Sequence, residues 1–135
     1  MSDDRFKFRV WYNSRFDNKG WRMANVCSFH INKNKVIIAN PPFGNTSIDL
    51  NHNAILEQCT GLKDKNGNLI YEGDVVRYYR STAMGLGGER IASVRWDDRS
   101  GSWWILTTLG DGYAMYDALN FGIEIIGNVH GVNHE

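Results

Sequence analysis

Apolar side chains in this chain recur at every second residue, and that spacing limits it to pleated structure. Phe6, Phe8, Val10 and Tyr12 alternate with Lys7, Arg9 and Trp11, which puts one set on each face of a strand. No comparable stretch keeps the period of 3.6 residues that an amphipathic helix needs. Continuous apolar runs are short, as in Val36–Ala39 and Trp103–Leu106, whereas a membrane-spanning helix requires roughly 18 such residues or more. Five Trp, six Tyr and six Phe among 135 residues strengthen the reading, because aromatic side chains favour strands and bring large areas to bury. The expected class is all-β, with at most one or two short helical turns.

Turn residues divide the pattern into segments. Asn13 to Gly20, rich in Asn, Ser, Asp and Gly, separates the first strand from an extended segment at Trp21 to Ile31, so a hairpin opens the chain. Asn32 to Lys35 turns into Val36–Ala39, and Pro41 and Pro42 then interrupt any ladder because proline has no N–H to donate. Ser47 to Leu50 and Ala54 to Cys59 read as short strands, the second being the place for a single helical turn. Further strands are expected at Val75–Arg80, Arg90–Trp96, Trp103–Leu109 and Ile123–Val129, with a turn at Asp98–Gly101 and a helical turn at Asp117–Asn120 capped by Asp117.

The segment Thr60-Gly-Leu-Lys-Asp-Lys-Asn-Gly-Asn-Leu-Ile-Tyr-Glu-Gly-Asp-Val-Val76 carries the most local information. Asn66-Gly67 tolerates the positive φ values of a tight hairpin turn, and Glu72-Gly73-Asp74 redirects the chain into a strand. Gly61, Gly67 and Gly73 are expected where the backbone changes direction, and Asp64, Asn66 and Asp74 bonded to nearby main-chain donors. A competing reading gathers Asp64, Glu72 and Asp74 into a metal or acid–base cluster. This segment resembles the signature of the YopX family of phage and prophage proteins. Phe6-Lys-Phe-Arg-Val-Trp11, leading towards Met23, and Ile123-Glu-Ile-Ile-Gly-Asn-Val-His130 resemble the same family in the same order. The chain departs from the pattern after His130 and in the pair Trp103-Trp104. The resemblance implies a small, mostly β protein encoded by a phage or prophage, and it brings no catalytic residues with it. The architecture expected is an amino-terminal β-hairpin region, residues 1–59, packed with a small Src-homology-type bent barrel, residues 60–135.

Charge narrows the partners. Fifteen Lys and Arg balance fifteen Asp and Glu, which argues against a wholly basic nucleic-acid binder. The balance is uneven along the chain: residues 1–50 hold eight cations and four anions, and residues 81–135 hold three and seven. Opposite charge at the two ends is met by docking within one monomer or by head-to-tail association, so a homo-oligomer is among the expectations. The amino terminus has no apolar run of the kind a secretory signal needs, and Cys27 and Cys59 stand alone, as buried thiols of a reducing compartment do. The location expected is the cytoplasm of the bacterial host.

The motifs searched for catalysis are missing from the sequence. His30, His52, His130 and His134 have no zinc-ligand spacing, no Gly-x-Ser-x-Gly elbow occurs, and Gly85-Leu-Gly-Gly88 lacks the following Lys-Ser/Thr and helix of a phosphate loop. No cofactor, metal or enzymatic activity is expected. The candidate ligand-binding residues are Lys7, Arg9 and Trp11 on the outward face of the first strand, with Arg15, Lys19 and Arg22 on the adjoining turn and return strand, because cations beside an aromatic plane suit stacking plus phosphate neutralisation. A second patch is Arg77 and Tyr79, with Val75 and one of Trp103 or Trp104. The function expected is a non-enzymatic phage or prophage accessory protein, counter-defence being one use, that binds a host protein or a small anionic, nucleotide-like ligand. The alternative is a nucleic-acid binder using the basic amino-terminal face. No membrane role is expected.

Overall fold

The computed structural model describes residues 3–13, 19–39, 44–80, 88–107 and 110–131. The fold is all-β, and among the described residues the paired strands are antiparallel and there is one short α-helix. Two compact units divide between Cys59 and Thr60. The glycine-rich segment 85–87, Arg15 and His134 lie outside the described residues, as do the prolines.

The first unit is an antiparallel sheet of β1 (Phe8–Asn13), β2 (Trp21–His30), β3 (Lys35–Ala39), β4 (Asn45–Asp49) and the start of β5 (Ala54–Lys63). Its order is β4-β3-β2-β1-β5, which puts β1 between β2 and β5. Val10 therefore lies opposite Ala24 on one side and Leu56 on the other. Val10, Tyr12, Val36, Ile38 and Ile48 form the core, with Ala24, Val26, Leu50, Ala54 and Leu56 packed against them. Alternation in β1 thus buries Val10 and Tyr12 and half-buries Phe8, whereas Phe6, expected in the same strand, ends the 3-10 turn Asp3–Phe6 before it and is 64% exposed. Asn34 closes the turn before β3 in the left-handed region, a conformation Asn tolerates better than most residues.

Two expectations change in this unit. Ala54–Cys59 forms no helical turn but belongs to a strand that continues to Lys63, since pairing with β1 satisfies its backbone along the length where a helix would leave β1 unpaired. Cys27 is exposed, and only Cys59 is buried. Ala24 and Val26 pack on the core, so alternation puts Cys27 on the other face, and the β2–β3 register slips between Val26 and Ser28, which makes Cys27 the extra residue of a bulge. The same slip brings Phe29 opposite Val36 and edge-on to Phe8, ring centroids 5.0 Å apart.

In the second unit, the end of β5 turns through Asn66-Gly67 into β6 (Leu69–Tyr71). There follow β7 (Asp74–Arg80), β8 (Gly88–Asp97), β9 (Ser102–Thr107), β10 (Gly112–Ala114), helix α1 (Met115–Ala118), a 3-10 turn at Leu119–Phe121 and β11 (Glu124–Asn128). The sheet order is β10-β9-β8-β7-β11. Val76, Tyr78, Ala92, Val94, Ile105 and Ile125 line its inner face. Ile70 of β6 and Met115 and Ala118 of α1 complete the core from the opposite side, with Leu62 packed against it. The expected cap is corrected: the helix begins at Met115 after Ala114, with no side-chain cap, and Asp117 is an exposed residue inside it. Burial of Met115 and Ala118, three residues apart on one face, sets the start of this turn.

Candidate functional site

The signature segment is built around two carboxylates. Asp64, 6% exposed, accepts the backbone N–H of Asn66 and Asn68 through Oδ1, each at 2.9 Å, and that of Ile125 through Oδ2 at 3.0 Å. One side chain therefore forms the hairpin turn and ties it to β11, 61 residues away in sequence. Asp74 accepts the N–H of Tyr71 at 2.8 Å across the next turn, whose Gly73 has φ 86° and donates to the Val94 carbonyl. Gly67, φ 84°, sits at the hairpin tip as expected, whereas Gly61, φ 81°, breaks the extended backbone inside β5 rather than at a turn. Thr60 adds a hydroxyl bond to the Ile70 carbonyl. Of the three carboxylates that competed for a metal role, Asp64 and Asp74 are thus engaged by main-chain donors. Among the described residues no group of three His, Cys, Asp or Glu side chains is gathered to hold an ion.

The cations of the first predicted patch are drawn to neighbours. Arg9 lies directly opposite Glu57 on β5 and bonds it at 2.9 Å, the two side chains being 12% and 4% exposed. Lys7 pairs with Asp4 at 2.9 Å. Trp11 stacks on Trp21 with centroids 6.1 Å apart and planes 15° from parallel. Arg22 does not join them: it pairs across from Tyr12, lies over that ring at 4.7 Å and donates to its hydroxyl at 2.8 Å. Cross-strand partners share a face, so Arg22 stands on the core side of the sheet, opposite to Arg9 and Trp11.

Of the second patch, Arg77 lies opposite Glu124 on β11 and bonds it at 3.0 Å, with Lys65 on the same carboxylate at 3.5 Å. The hydrogen bond from Arg77 holds the Glu124 carboxyl below its usual range, and the same bond raises the Arg77 guanidinium. Tyr79 is exposed beside Glu89. The two adjacent tryptophans separate: Trp103 packs on the core and edge-on to Trp96, whereas Trp104 lies opposite Arg95 on the outer face.

That outer face holds a concave surface. Val75, Ser93 and Leu106 are aligned across β7, β8 and β9, and with Ile91 and Arg95 they line a depression of about 320 Å³. A second, of about 310 Å³, is lined by Arg95, Trp96, Asp97, Trp104 and Leu106. Arg95 and Leu106 belong to both, so the two form one trough. Trp104 is held in place by the turn at Asp98–Gly101: its indole N–H donates to Ser102 Oγ at 3.0 Å and Ser100 Oγ at 3.1 Å. Ser100 in turn donates through hydroxyl and backbone N–H to Asp97, whose carboxyl these bonds hold below its usual range. At Gly112 on β10 a Cβ would stand 3.2 Å from Leu106 Cδ1 and 3.3 Å from Trp104 Cε3, so the missing side chain leaves room for both to settle over β10. Ile91, Ser93, Arg95 and Leu106 were not singled out from sequence. Both parities of β8 mix apolar with polar residues, and alternation alone does not say which set faces the core.

The fold and this surface define an all-β protein of two antiparallel units, with an apolar trough on the outer face of its second sheet. The chain belongs to the YopX protein family, whose model matches residues 7–132. The crystal structure of protein EF1440 from Enterococcus faecalis is similar over 92% of each chain, with 24% identity and a TM-score of 0.57, a likeness that speaks for the fold alone. No curated protein matches this chain. Among the described residues no helix is long and apolar enough to cross a membrane.

Proposed function

We propose that this chain is a non-catalytic binding module that docks a protein on the outer face of the β7–β8–β9 sheet, as an accessory protein of a phage or prophage in the cytoplasm of its bacterial host. The observation that carries the reading is the trough itself: Leu106 is 43% exposed between Val75, Ile91 and a tryptophan fixed by its own turn. Apolar surface organised in this way, with an anchored aromatic at one end, is the usual core of a protein-binding patch. The engagement of Asp64 and Asp74 by backbone donors supports a structural signature rather than a reactive one. Nucleic acid or a small anion on the amino-terminal face draws less support, because Arg9 and Lys7 already have carboxylate partners and Arg22 lies on the other face. The test is paired capture from host lysate with wild type, Leu106→Asp and Ile55→Ala, followed by binding of the purified captured protein. Retention by wild type and Ile55→Ala but not by Leu106→Asp supports docking; equal retention by all three refutes it.

A further inference from the structure

The trough has a chemical polarity. Its walls are the aliphatic Val75, Ile91 and Leu106 with Ser93 between them, and one end is the Trp104 indole, whose N–H already has acceptors in Ser100 and Ser102, beside Asp97, whose carboxylate is taken by the hydroxyl and backbone N–H of Ser100. Arg95 stands where the two depressions join. Its Nε donates to Ser93 Oγ at 3.3 Å, and among the described residues no carboxylate meets its guanidinium. Arg77, on the same face, is held by Glu124.

We infer that the trough receives a short extended segment of a partner protein in which an aliphatic or aromatic side chain stands next to an Asp or Glu. The apolar side chain fills the space between Val75, Ile91 and Leu106, and the carboxylate meets Arg95. This rests on the docking reading above and adds the chemistry of the occupant. Charge complementarity selects it. A guanidinium fork matches a carboxylate in two parallel hydrogen bonds, and apolar walls that exclude water strengthen the pair. A nucleic-acid strand fits less well: a single cation does not track a phosphate backbone, and the Asp97 carboxylate beside Trp104 repels phosphate.

The probes are two end-blocked, fluorescein-labelled octapeptide pools, each with one Leu or Phe followed by Glu in the first pool and by Gln in the second. Binding is read by fluorescence anisotropy on the full chain. The Glu pool is expected to bind about tenfold more tightly than the Gln pool, as a charge-assisted pair does. Arg95→Gln should abolish that preference, and added salt should weaken the Glu pool alone. Arg95 is exposed, and circular dichroism verifies that the variant folds. Equal binding of the two pools to wild type, or a preference that survives Arg95→Gln, overturns the carboxylate assignment while leaving the docking reading in place. Failure of both pools to bind, or binding indifferent to Leu106→Asp, overturns the inference, and the docking reading falls with it only if the protein captured from lysate is also retained by Leu106→Asp. An oligothymidylate that binds wild type and is lost on Leu106→Asp and Arg95→Gln overturns the inference in favour of nucleic acid. Sedimentation showing a dimer that Leu106→Asp dissociates, without peptide binding, overturns it in favour of a second copy.

Discussion

Replacing Asp64 by Ala should be among the most damaging single changes in the second unit. The side chain accepts three backbone N–H groups, and the one from Ile125 is buried, so no water replaces the lost acceptor. A hydrogen bond to a charged group contributes about 1.5–3 kcal/mol, and a buried donor left unsatisfied costs about as much. The two turn amides are partly exposed and recover some of their loss from solvent. The expected total is therefore about 3–4 kcal/mol, a large share of the roughly 5–15 kcal/mol that holds a domain together. Asp64→Asn keeps one acceptor oxygen but sets an amide N–H against a backbone donor, and should lose about 1.5–3 kcal/mol. Asp49→Ala, which removes an exposed bond to the Asn51 N–H, should lose far less, because water replaces the lost acceptor. Urea denaturation reads the global values, and hydrogen exchange at the Ile125 amide reads the clamp directly. A loss below about 1 kcal/mol for Asp64→Ala with an unchanged Ile125 exchange rate would refute the reasoning. A heat of Mg²⁺ or Ca²⁺ binding to wild type that Asp64→Asn removes would favour the metal reading instead.

Other perturbations test the remaining interactions. Glu57→Gln leaves the Arg9 charge uncompensated beneath the strands and should lower stability by about 3 kcal/mol, whereas apolar residues of similar volume at both positions should recover most of it; urea midpoints decide. Ile105→Ala, at a fully buried site, should cost about 2–5 kcal/mol, and Ile55→Ala on the exposed face less than about 0.5, by the same measurement. Glu124 titrates below its usual range in the folded chain, so its contribution is present above the unfolded pKa and lost as pH falls through the folded one. Glu124→Gln should therefore flatten part of the acid limb of stability against pH; identical limbs would contradict this. Gly112→Ala should leave the unfolding midpoint within about 1 kcal/mol, because Leu106 can move its exposed tip, while displacing Leu106 and Trp104 methyl and ring resonances in NMR spectra.

Local chemistry was legible where it involved neighbours in the chain. Asn66-Gly67, Glu72-Gly73-Asp74 and Asp98–Gly101 read as turns because their conformational preferences lie within a few residues, and the structure forms each of them. Alternation over Phe8–Tyr12 likewise gave a half-buried strand, since side-chain direction follows from the pleat alone, while Phe6 fell in the 3-10 turn before it. The candidate site was less legible. A sequence lists cations without their partners, and Arg9, Lys7 and Arg77 each meet a carboxylate, two of those carboxylates on another strand.

The amino-acid order by itself determined that this chain forms short strands joined by tight turns, because pleat and turn are set by residues in contact along the backbone. Only the tertiary structure decided which side of each strand became the interior. The bulge at Cys27 exchanged the faces of β2, and the register of β9 against β8 sent Trp103 to the core and Trp104 to the trough. Register is chosen by the summed burial of several strands at once, and a shift of one residue reverses every side chain, so no single segment carries that information.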